Sequence, residues 1–221
     1  GSCWHNYARG RDSLLSAARI EGLPDKTDNV IGFRIVLEKP QTPVLTKGLV
    51  AYYPFNARAK DESGNGHDGE VKGLTLTQDR HSNAGSAYEV TGKIGSKIEI
   101  PESDTLKPQK MTLNAWVYLS KVGGDEPWVI LAADHSFQWA IDNTGKLGAR
   151  NFFGLNTGGF GKWKNLQYKG RIPAGKWFMY TATYDGITMK QHLNSSEVCS
   201  APFSGAVPYG FRYQKEFMVI G

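Results

Sequence analysis

After residue 47 the sequence is a series of short segments rich in β-branched and aromatic residues, separated by turn signals such as SGNG, DNTG, YDG and PYG. Polar and apolar residues alternate in Thr112–Val117, which predicts one face in a core and one in solvent. No amphipathic helix interrupts the pattern, so the sequence predicts an all-β antiparallel sandwich or barrel. The predicted strands are GLVAYYPF, SAYEV, KIEI, MTLNAWVYL, PWVILAA, SFQWAID, KLGARNF, KWFMYTATY, TMKQHL and FMVIG.

The chain divides in two at residues 38–47, where EKPQTPVLTK reads as a short extended linker. Residues 1–37 are too few to bury a core alone, so we expect them to be the end of a larger domain that lies upstream. Residues 48–221 form the β domain. No run of about 18 apolar residues is present, which predicts no membrane span, and no signal peptide is visible in this chain.

The β domain resembles the concanavalin A-like, laminin G-type jelly rolls of bacterial surface proteins. The resemblance rests on an ordered series: GLVAYYPFNARAKDESGNGHDGEV, SAYEV, KIEIPESDTL, MTLNAWVY, AGKWFMYTATYDGITMKQHLN and SAPFSGAVP. It implies two antiparallel sheets packed as a jelly-roll sandwich, often with one bound calcium, and a role in glycan or protein binding. Family members usually carry a further strand after the position of FMVIG, so the domain is expected to lack its last strand.

Residues 1–37 carry a second resemblance, through the opening GSCW and the ending NVIGFR. They are similar to the C-terminal end of a formylglycine-generating-enzyme-like (sulfatase-modifying factor) domain, which has a C-type-lectin-like fold. In that family a pair of cysteines binds copper and performs the oxidation. The matching positions here are Asn6 and Arg11, and Cys3 lies off both, so the oxidase chemistry is not carried over.

The segment KDESGNGHDGEV (residues 60–71) is the candidate metal loop. It combines polar side chains with glycines that let the backbone fold tightly, and calcium prefers six to eight oxygen ligands on such a loop. Zinc would require more His or Cys ligands. A plain Gly-Asn turn is the alternative. The predicted calcium ligands are Asp61, Asn65, His67 and Glu70.

Nothing in the sequence has the spacing of a catalytic site. Nucleophile-elbow, zincin and phosphate-loop motifs do not occur. The acids Glu99, Glu102 and Asp104 are separated by Pro101, which interrupts the alternation that a glycosidase carboxylate pair would need. We therefore predict no catalytic residues and no enzyme activity for this chain.

From Asn143 to Tyr184 the sequence holds no Asp or Glu, and cations alternate with aromatic residues in GFGKWKNLQYKGRIPAGKW. Aromatic rings can stack on sugars while cations hold carboxylates or sulfates, which favours an acidic polysaccharide. A solvated basic hairpin is the alternative. We expect Trp163 to be exposed and Trp177 to lie in the core. The predicted ligand-binding residues are Trp163, Lys162, Lys164, Tyr168, Lys169 and Arg171.

Together these features predict a non-catalytic module that binds carbohydrate or a surface partner, within a larger bacterial protein that is secreted, periplasmic or on the cell surface. One alternative is an accessory domain of an enzyme whose catalytic domain lies upstream; another is an adhesive or structural spacer. Single-stranded nucleic acid could use the same basic aromatic stretch, but no nucleic-acid fold signature accompanies it, so no nucleic-acid partner is expected. Cys3 and Cys199 are expected to be unpaired thiols.

Overall fold

A computed structural model describes residues 47–91, 93, 95–121, 127–133, 136–142, 150–158, 162–172, 174–209 and 218–221. The chain forms two compact units, Gly1–Leu45 and Thr46–Gly221. The first unit, and with it the predicted formylglycine-generating-enzyme-like segment, lies outside the described residues. No described helix is long and apolar enough to cross a membrane.

The described part of the second unit is built from β-strands, with one short 3-10 turn at Asp104–Leu106. The strands are β1 (Glu70–Lys72), β2 (Thr75–Thr77), β3 (Ala87–Glu89), β4 (Lys97–Ile100), β5 (Met111–Tyr118), β6 (Trp128–Ala133), β7 (Phe137–Asp142), β8 (Arg150–Asn156), β9 (Trp163–Gln167), β10 (Trp177–Tyr184), β11 (Thr188–Leu193), β12 (Ser196–Pro202) and β13 (Met218–Ile220).

These strands form two main sheets and a small hairpin. The larger sheet has seven strands in the order β1-β4-β13-β6-β7-β8-β9, and the smaller has four in the order β12-β11-β10-β5. All pairs are antiparallel, and β2 with β3 forms the hairpin. The sequence prediction of an all-β jelly-roll sandwich is confirmed.

The core lies between the inner faces of the two sheets. Trp139 of the seven-stranded sheet packs on Tyr180 of the four-stranded sheet, with ring centroids 4.8 Å apart. The Tyr180 hydroxyl donates to the Phe152 carbonyl oxygen at 3.0 Å, and the fully buried Gln191 amide donates from Nε2 to the Leu166 carbonyl oxygen. Each buried donor thus ties a strand of one sheet to a backbone acceptor of the other.

Two predictions about this fold were wrong. GLVAYYPF is not a strand, although Val50, Ala51 and Tyr53 pack against the core. Its backbone groups bond instead to side chains of the 60–71 segment, as described below. Trp177 does not lie in the core: β10 buries Phe178 and Tyr180, so Trp177 faces outward by alternation and packs on Tyr118 with ring centroids 5.6 Å apart.

Asp61 organises the start of the domain. Its Oδ1 accepts the amides of Tyr52 and Ser63, both at 2.9 Å, and its Oδ2 accepts the Ser63 hydroxyl at 2.8 Å and the His67 amide at 3.0 Å. Asn65 donates through Nδ2 to the carbonyl oxygens of Leu49 and Val50. Asp61 is only 4% exposed. Its bond from Tyr52 and the two bonds from Asn65 fix the loop to the 49–53 segment, and its bonds from Ser63 and His67 hold the loop itself together.

The same contacts set the pKa of Asp61. Burial alone would raise the pKa, but the donors from Tyr52, Ser63 and His67 outweigh it and hold the pKa below its usual range. A depressed folded-state pKa means that the carboxylate contributes stability above its unfolded pKa of about 3.9, and that this contribution is lost as pH falls through the folded value.

We therefore expect Asp61→Asn to lower the free energy of unfolding at neutral pH by about 2 kcal/mol, because an amide group would face N–H donors that need an acceptor. The variant should also lose less stability than the wild type between pH 5 and pH 2. Urea unfolding followed by tryptophan fluorescence measures both quantities. Glu62→Gln removes the same charge from the exposed neighbour and is the control; equal effects of the two variants would contradict the role given to Asp61.

Candidate functional site

The outward side of β7, β8 and β9 carries a group of amide-bearing and aromatic side chains, here called the amide face. Register places Gln138, Gly154 and Asn165 in one row across the three strands, and Ala140, Phe152 and Gln167 in the next. Side chains in these rows share one face because successive residues of a strand alternate sides. The amide face consists of Gln138, Ala140, Asp142, Phe152, Gly154, Trp163, Asn165 and Gln167.

Gly154 lies buried at the centre of the amide face. A Cβ atom at this position would lie 2.8 Å from Asn165 Oδ1 and 3.1 Å from Cζ of the Phe152 ring. Only glycine therefore fits beneath these two side chains. The Asn165 amide and the Phe152 ring thus pack over the backbone of β8 and form the surface of the face here.

Asp142 and Gln167 are joined across the amide face. The Gln167 amide donates from Nε2 to Asp142 Oδ2, which orients both side chains above the β7–β9 surface. Gln167 and Asn165 are exposed, and Gln138 and Asp142 are half-buried. The face therefore offers both donors and acceptors to a polar ligand.

Part of the predicted ligand-binding segment, residues 162–171, forms a β-strand. Trp163–Gln167 forms β9, the outer strand of the seven-stranded sheet, where sequence reasoning expected a loop or hairpin. Trp163 and Asn165 point to the amide face, whereas Lys164 pairs with the core residue Leu155 and lies on the opposite side. The structure thus separates Trp163 from Lys164.

Trp163 is half-buried, which corrects the expectation that it would be exposed. It stands opposite Asn156, which belongs to the same side of β8 and is fully buried. Asn156 Oδ1 accepts the amide of Gly158 at 2.8 Å. The indole therefore presents only part of its surface at the corner of the amide face.

The remaining basic-site residues lie within β9 and at both of its ends. Tyr168 is half-buried, and its ring lies against Gly170, where a Cβ atom would be 2.2 Å from the phenol. Four cations are exposed and form no ion pair with any described residue: Lys162, Lys164, Lys169 and Arg171. Lys162 precedes β9, and Lys169 and Arg171 follow it, so these three cations form a positively charged rim at the two ends of the strand, whereas Lys164 lies on the side opposite the amide face.

The predicted calcium loop does not have the geometry of a cation cage. Both Asp61 oxygens accept N–H or O–H donors, and Asn65 turns its amide nitrogen toward carbonyl oxygens. His67 bonds through Nε2 to the Thr105 hydroxyl at 2.8 Å, and Glu70 lies exposed beside Lys72. Within the described ranges, no three His, Cys, Asp or Glu residues come together as a metal site. These donors do not fit a bound calcium.

The acids near Pro101 are ion-paired. Glu99 is joined to Lys72 and, at 3.1 Å, to Lys97. Lys107 is 2.8 Å from both Glu102 and Asp104. The hydrogen bond from Lys72, with help from Lys97, keeps the pKa of Glu99 below its usual range. Lysine side chains therefore hold all three carboxylates in surface ion pairs.

Cys199 is unpaired among the described residues, and Cys3 lies outside them. Burial, with a smaller contribution from Glu197, raises the pKa of the Cys199 thiol to about 11. The thiol is therefore protonated and unreactive near neutral pH.

Sequence reasoning missed Gln138, Asp142, Phe152, Asn165 and Gln167. The signal that could have found them is the outward half of each predicted strand, since SFQWAID and RNFFGLN place polar or aromatic residues on the side away from the core. That signal is not sufficient by itself, because these residues lie on three strands and only the register brings them together.

Several solved structures are similar to this chain. Domain 4 of AbnA, a GH43 extracellular arabinanase from Geobacillus stearothermophilus, in complex with arabinotriose, is 22% identical with a TM-score of 0.49, covering 78% of this chain and 82% of that one. A putative carbohydrate binding protein from Bacteroides ovatus is 11% identical with a TM-score of 0.41, covering 69% and 36%. The carbohydrate binding module CBM66 from Bacillus subtilis is 14% identical with a TM-score of 0.37, covering 62% and 84%. No curated protein sequence matches this chain.

A family model described as the concanavalin A-like lectin/glucanases superfamily matches residues 91–221. That range contains β4–β13, and so the whole four-stranded sheet and the amide face. It covers more than half of the 221 residues. The protein belongs to the concanavalin A-like lectin/glucanases superfamily.

Proposed function

We propose that this domain is a carbohydrate-binding module that takes a polysaccharide segment on the amide face. The observation that carries the proposal is that Gln138, Asn165 and Gln167 share one face of the sheet, with the Phe152 ring beside Asn165 over Gly154. Sugars present hydroxyls, which both donate and accept, next to apolar C–H surfaces. A surface that combines amides, a carboxylate and aromatic edges complements both.

The role proposed for each side chain follows from its position on the amide face. The bond between Gln167 and Asp142 fixes the two side chains before a ligand arrives, which lowers the entropy lost on binding. Gly154 leaves room for the Asn165 amide and the Phe152 ring to pack over β8, and Phe152 and the exposed part of Trp163 offer apolar surface. Carboxylate or sulfate groups on the polysaccharide would meet Lys162, Lys169 and Arg171 on the rim.

The amide face is tested by the double variant Asn165→Ala/Gln167→Ala, with polygalacturonate and its methyl ester as probes. We expect binding of both probes to weaken by about tenfold, because two hydrogen-bonding groups worth about 0.7 kcal/mol each are removed. Isothermal titration calorimetry measures the dissociation constants. Gln78→Ala removes an exposed amide far along the sequence and is the control. Unchanged constants in the double variant would refute the amide face as the site.

The rim is tested by the charge of the ligand. We expect Lys162→Ala/Lys169→Ala to weaken binding of polygalacturonate several-fold and to leave binding of the methyl ester unchanged, because only the first probe carries carboxylates. Added salt should weaken the same interaction and spare the neutral one. Lys60→Ala, an exposed cation outside the rim, is the control. Equal loss for both probes would show that the cations do not select for charge.

Calcium dependence is tested separately with Asn65→Ala and Glu70→Ala. We expect the calcium isotherm of the chelator-treated protein to be the same in both variants as in the wild type, because the 60–71 loop uses its donors for its own backbone. Saturable calcium binding that disappears in either variant would contradict this result and restore KDESGNGHDGEV as a metal loop.

A further inference from the structure

Asn65 and Gly66 form an exposed Asn-Gly pair. The backbone amides on either side of the Gly66 amide are held: the Asn65 amide donates to the Ser63 hydroxyl at 3.2 Å, and the His67 amide donates to Asp61 Oδ2 at 3.0 Å. The Gly66 amide itself donates to no described residue. A Cβ atom added at Gly66 would meet nothing within 4 Å, so the space around this residue is open.

An asparagine that precedes glycine can react with its own backbone. The nitrogen of the following peptide bond loses its proton and attacks the side-chain carbonyl carbon Cγ. The Cγ–Nδ2 bond breaks, ammonia leaves, and a cyclic succinimide remains. Water then opens the ring at one carbonyl or the other and gives aspartate or isoaspartate. Glycine favours the closure because it has no Cβ in the way and turns its backbone freely, and asparagine is accordingly a thermolabile residue.

We propose that Asn65 deamidates in the folded protein through attack by the Gly66 nitrogen. The reaction needs an unbonded nitrogen, a carbonyl that water can reach and a backbone that can turn into the ring. Gly66 has a φ of 78° with open space around it, so it can turn without a clash. Asn65 Oδ1 accepts no hydrogen bond from a described residue, and the side chain is exposed, so water reaches the carbonyl.

Asn65 is the only asparagine in the chain that precedes glycine. Asn83 precedes alanine and Asn194 precedes serine, whose side chains hinder the same ring closure. Asn194 is also held through its Oδ1, which accepts the Met179 amide at 2.9 Å. Asn83 and Asn194 are both exposed, so they serve as internal controls in the same chain.

Deamidation would remove a tether between the loop and the chain that precedes it. Asn65 Nδ2 donates to the carbonyl oxygens of Leu49 at 3.0 Å and Val50 at 2.9 Å. A carboxylate oxygen in its place leaves both carbonyls without this donor and turns a negative charge toward them. The nearby Ser63 hydroxyl already donates to Asp61 Oδ2 at 2.8 Å and has no second proton to offer. The amide face contains no residue of this loop, so glycan binding does not depend on the reaction.

Peptide mapping by mass spectrometry, after incubation of the folded chain in mildly alkaline buffer, tests the reaction. We expect the peptide with Asn65 to gain one mass unit and to be labelled by an isoaspartate-specific methyltransferase, while the peptides with Asn83 and Asn194 stay unchanged. The rate should rise with pH, because the attacking nitrogen must lose its proton. Asn65→Gln keeps an amide but would have to close a larger ring, and should stay unmodified.

An Asn65 that stays intact in the folded chain would overturn the proposal. If the same chain then reacts in urea, the bonds from Asn65 to Leu49 and Val50 prevent the reaction, and the loop protects the residue instead. Modification of Asn83 or Asn194 at the same rate would also overturn it, since neither precedes glycine.

Asn65→Asp tests the consequence without the reaction. We expect its melting temperature to fall by about 4–8 °C, because two hydrogen bonds are lost and a charge faces two carbonyl oxygens. The deamidated wild type, separated by ion exchange, should melt at the same temperature or lower. Gln78→Glu makes the same change of amide to carboxylate at another exposed residue, and should melt as the wild type does. Equal melting of Asn65→Asp and Gln78→Glu would overturn the loss of the tether.

Discussion

The contact between the inner faces of the two sheets is the interaction on which the rest of the structure depends. Trp139 and Tyr180 meet at its centre, and Ile100, Phe153, Phe178 and Met189 pack around them. Burial of these side chains supplies the main stabilising term of such a sandwich. Because each strand alternates, the same packing decides which residues are left on the outer faces, and function is confined to those residues.

The two outer faces have different chemistry. The seven-stranded sheet presents amides, small residues and one carboxylate above β7–β9, whereas the four-stranded sheet presents Trp116, Tyr118, Trp177 and Met179 near the β5 edge. A polar face suits a hydroxylated ligand, which must exchange hydrogen bonds with water for hydrogen bonds with protein. We therefore propose the seven-stranded sheet as the side that meets the glycan.

Much of the fold follows from the sequence, and most of the candidate site does not. Strong alternation predicted β5, β10 and β11 because it is a local property of residues such as Met111–Tyr118. By contrast, β9 was missed because Lys164 and two amides conceal its single buried residue, Leu166. The amide face needed the register of three strands, and the role of Asp61 needed the distance to Tyr52. These are non-local facts, and neither composition nor periodicity contains them.

The 60–71 segment shows why residue type alone did not decide its role. Acids, an asparagine and glycines are the composition of a calcium loop and also of a backbone-capping turn. The difference lies in the direction of the polar atoms. Here Asp61 Oδ1 and Oδ2 receive donors from three residues, and Asn65 directs Nδ2 toward two carbonyl oxygens. Protein donors occupy the carboxylate oxygens that a cation would bind, and the loop stabilises the chain that precedes it.

Part of the basic stretch between residues 143 and 184 has a structural role. Lys164 lies on an edge strand and on the side opposite the amide face, so it would protect β9 from unwanted pairing even if the domain bound no acidic ligand. The excess of positive charge between residues 143 and 184 is therefore weak evidence for an acidic polysaccharide. The amide face is stronger evidence for a sugar, because edge protection does not require Asn165 and Gln167 to share one face with Asp142 and Phe152.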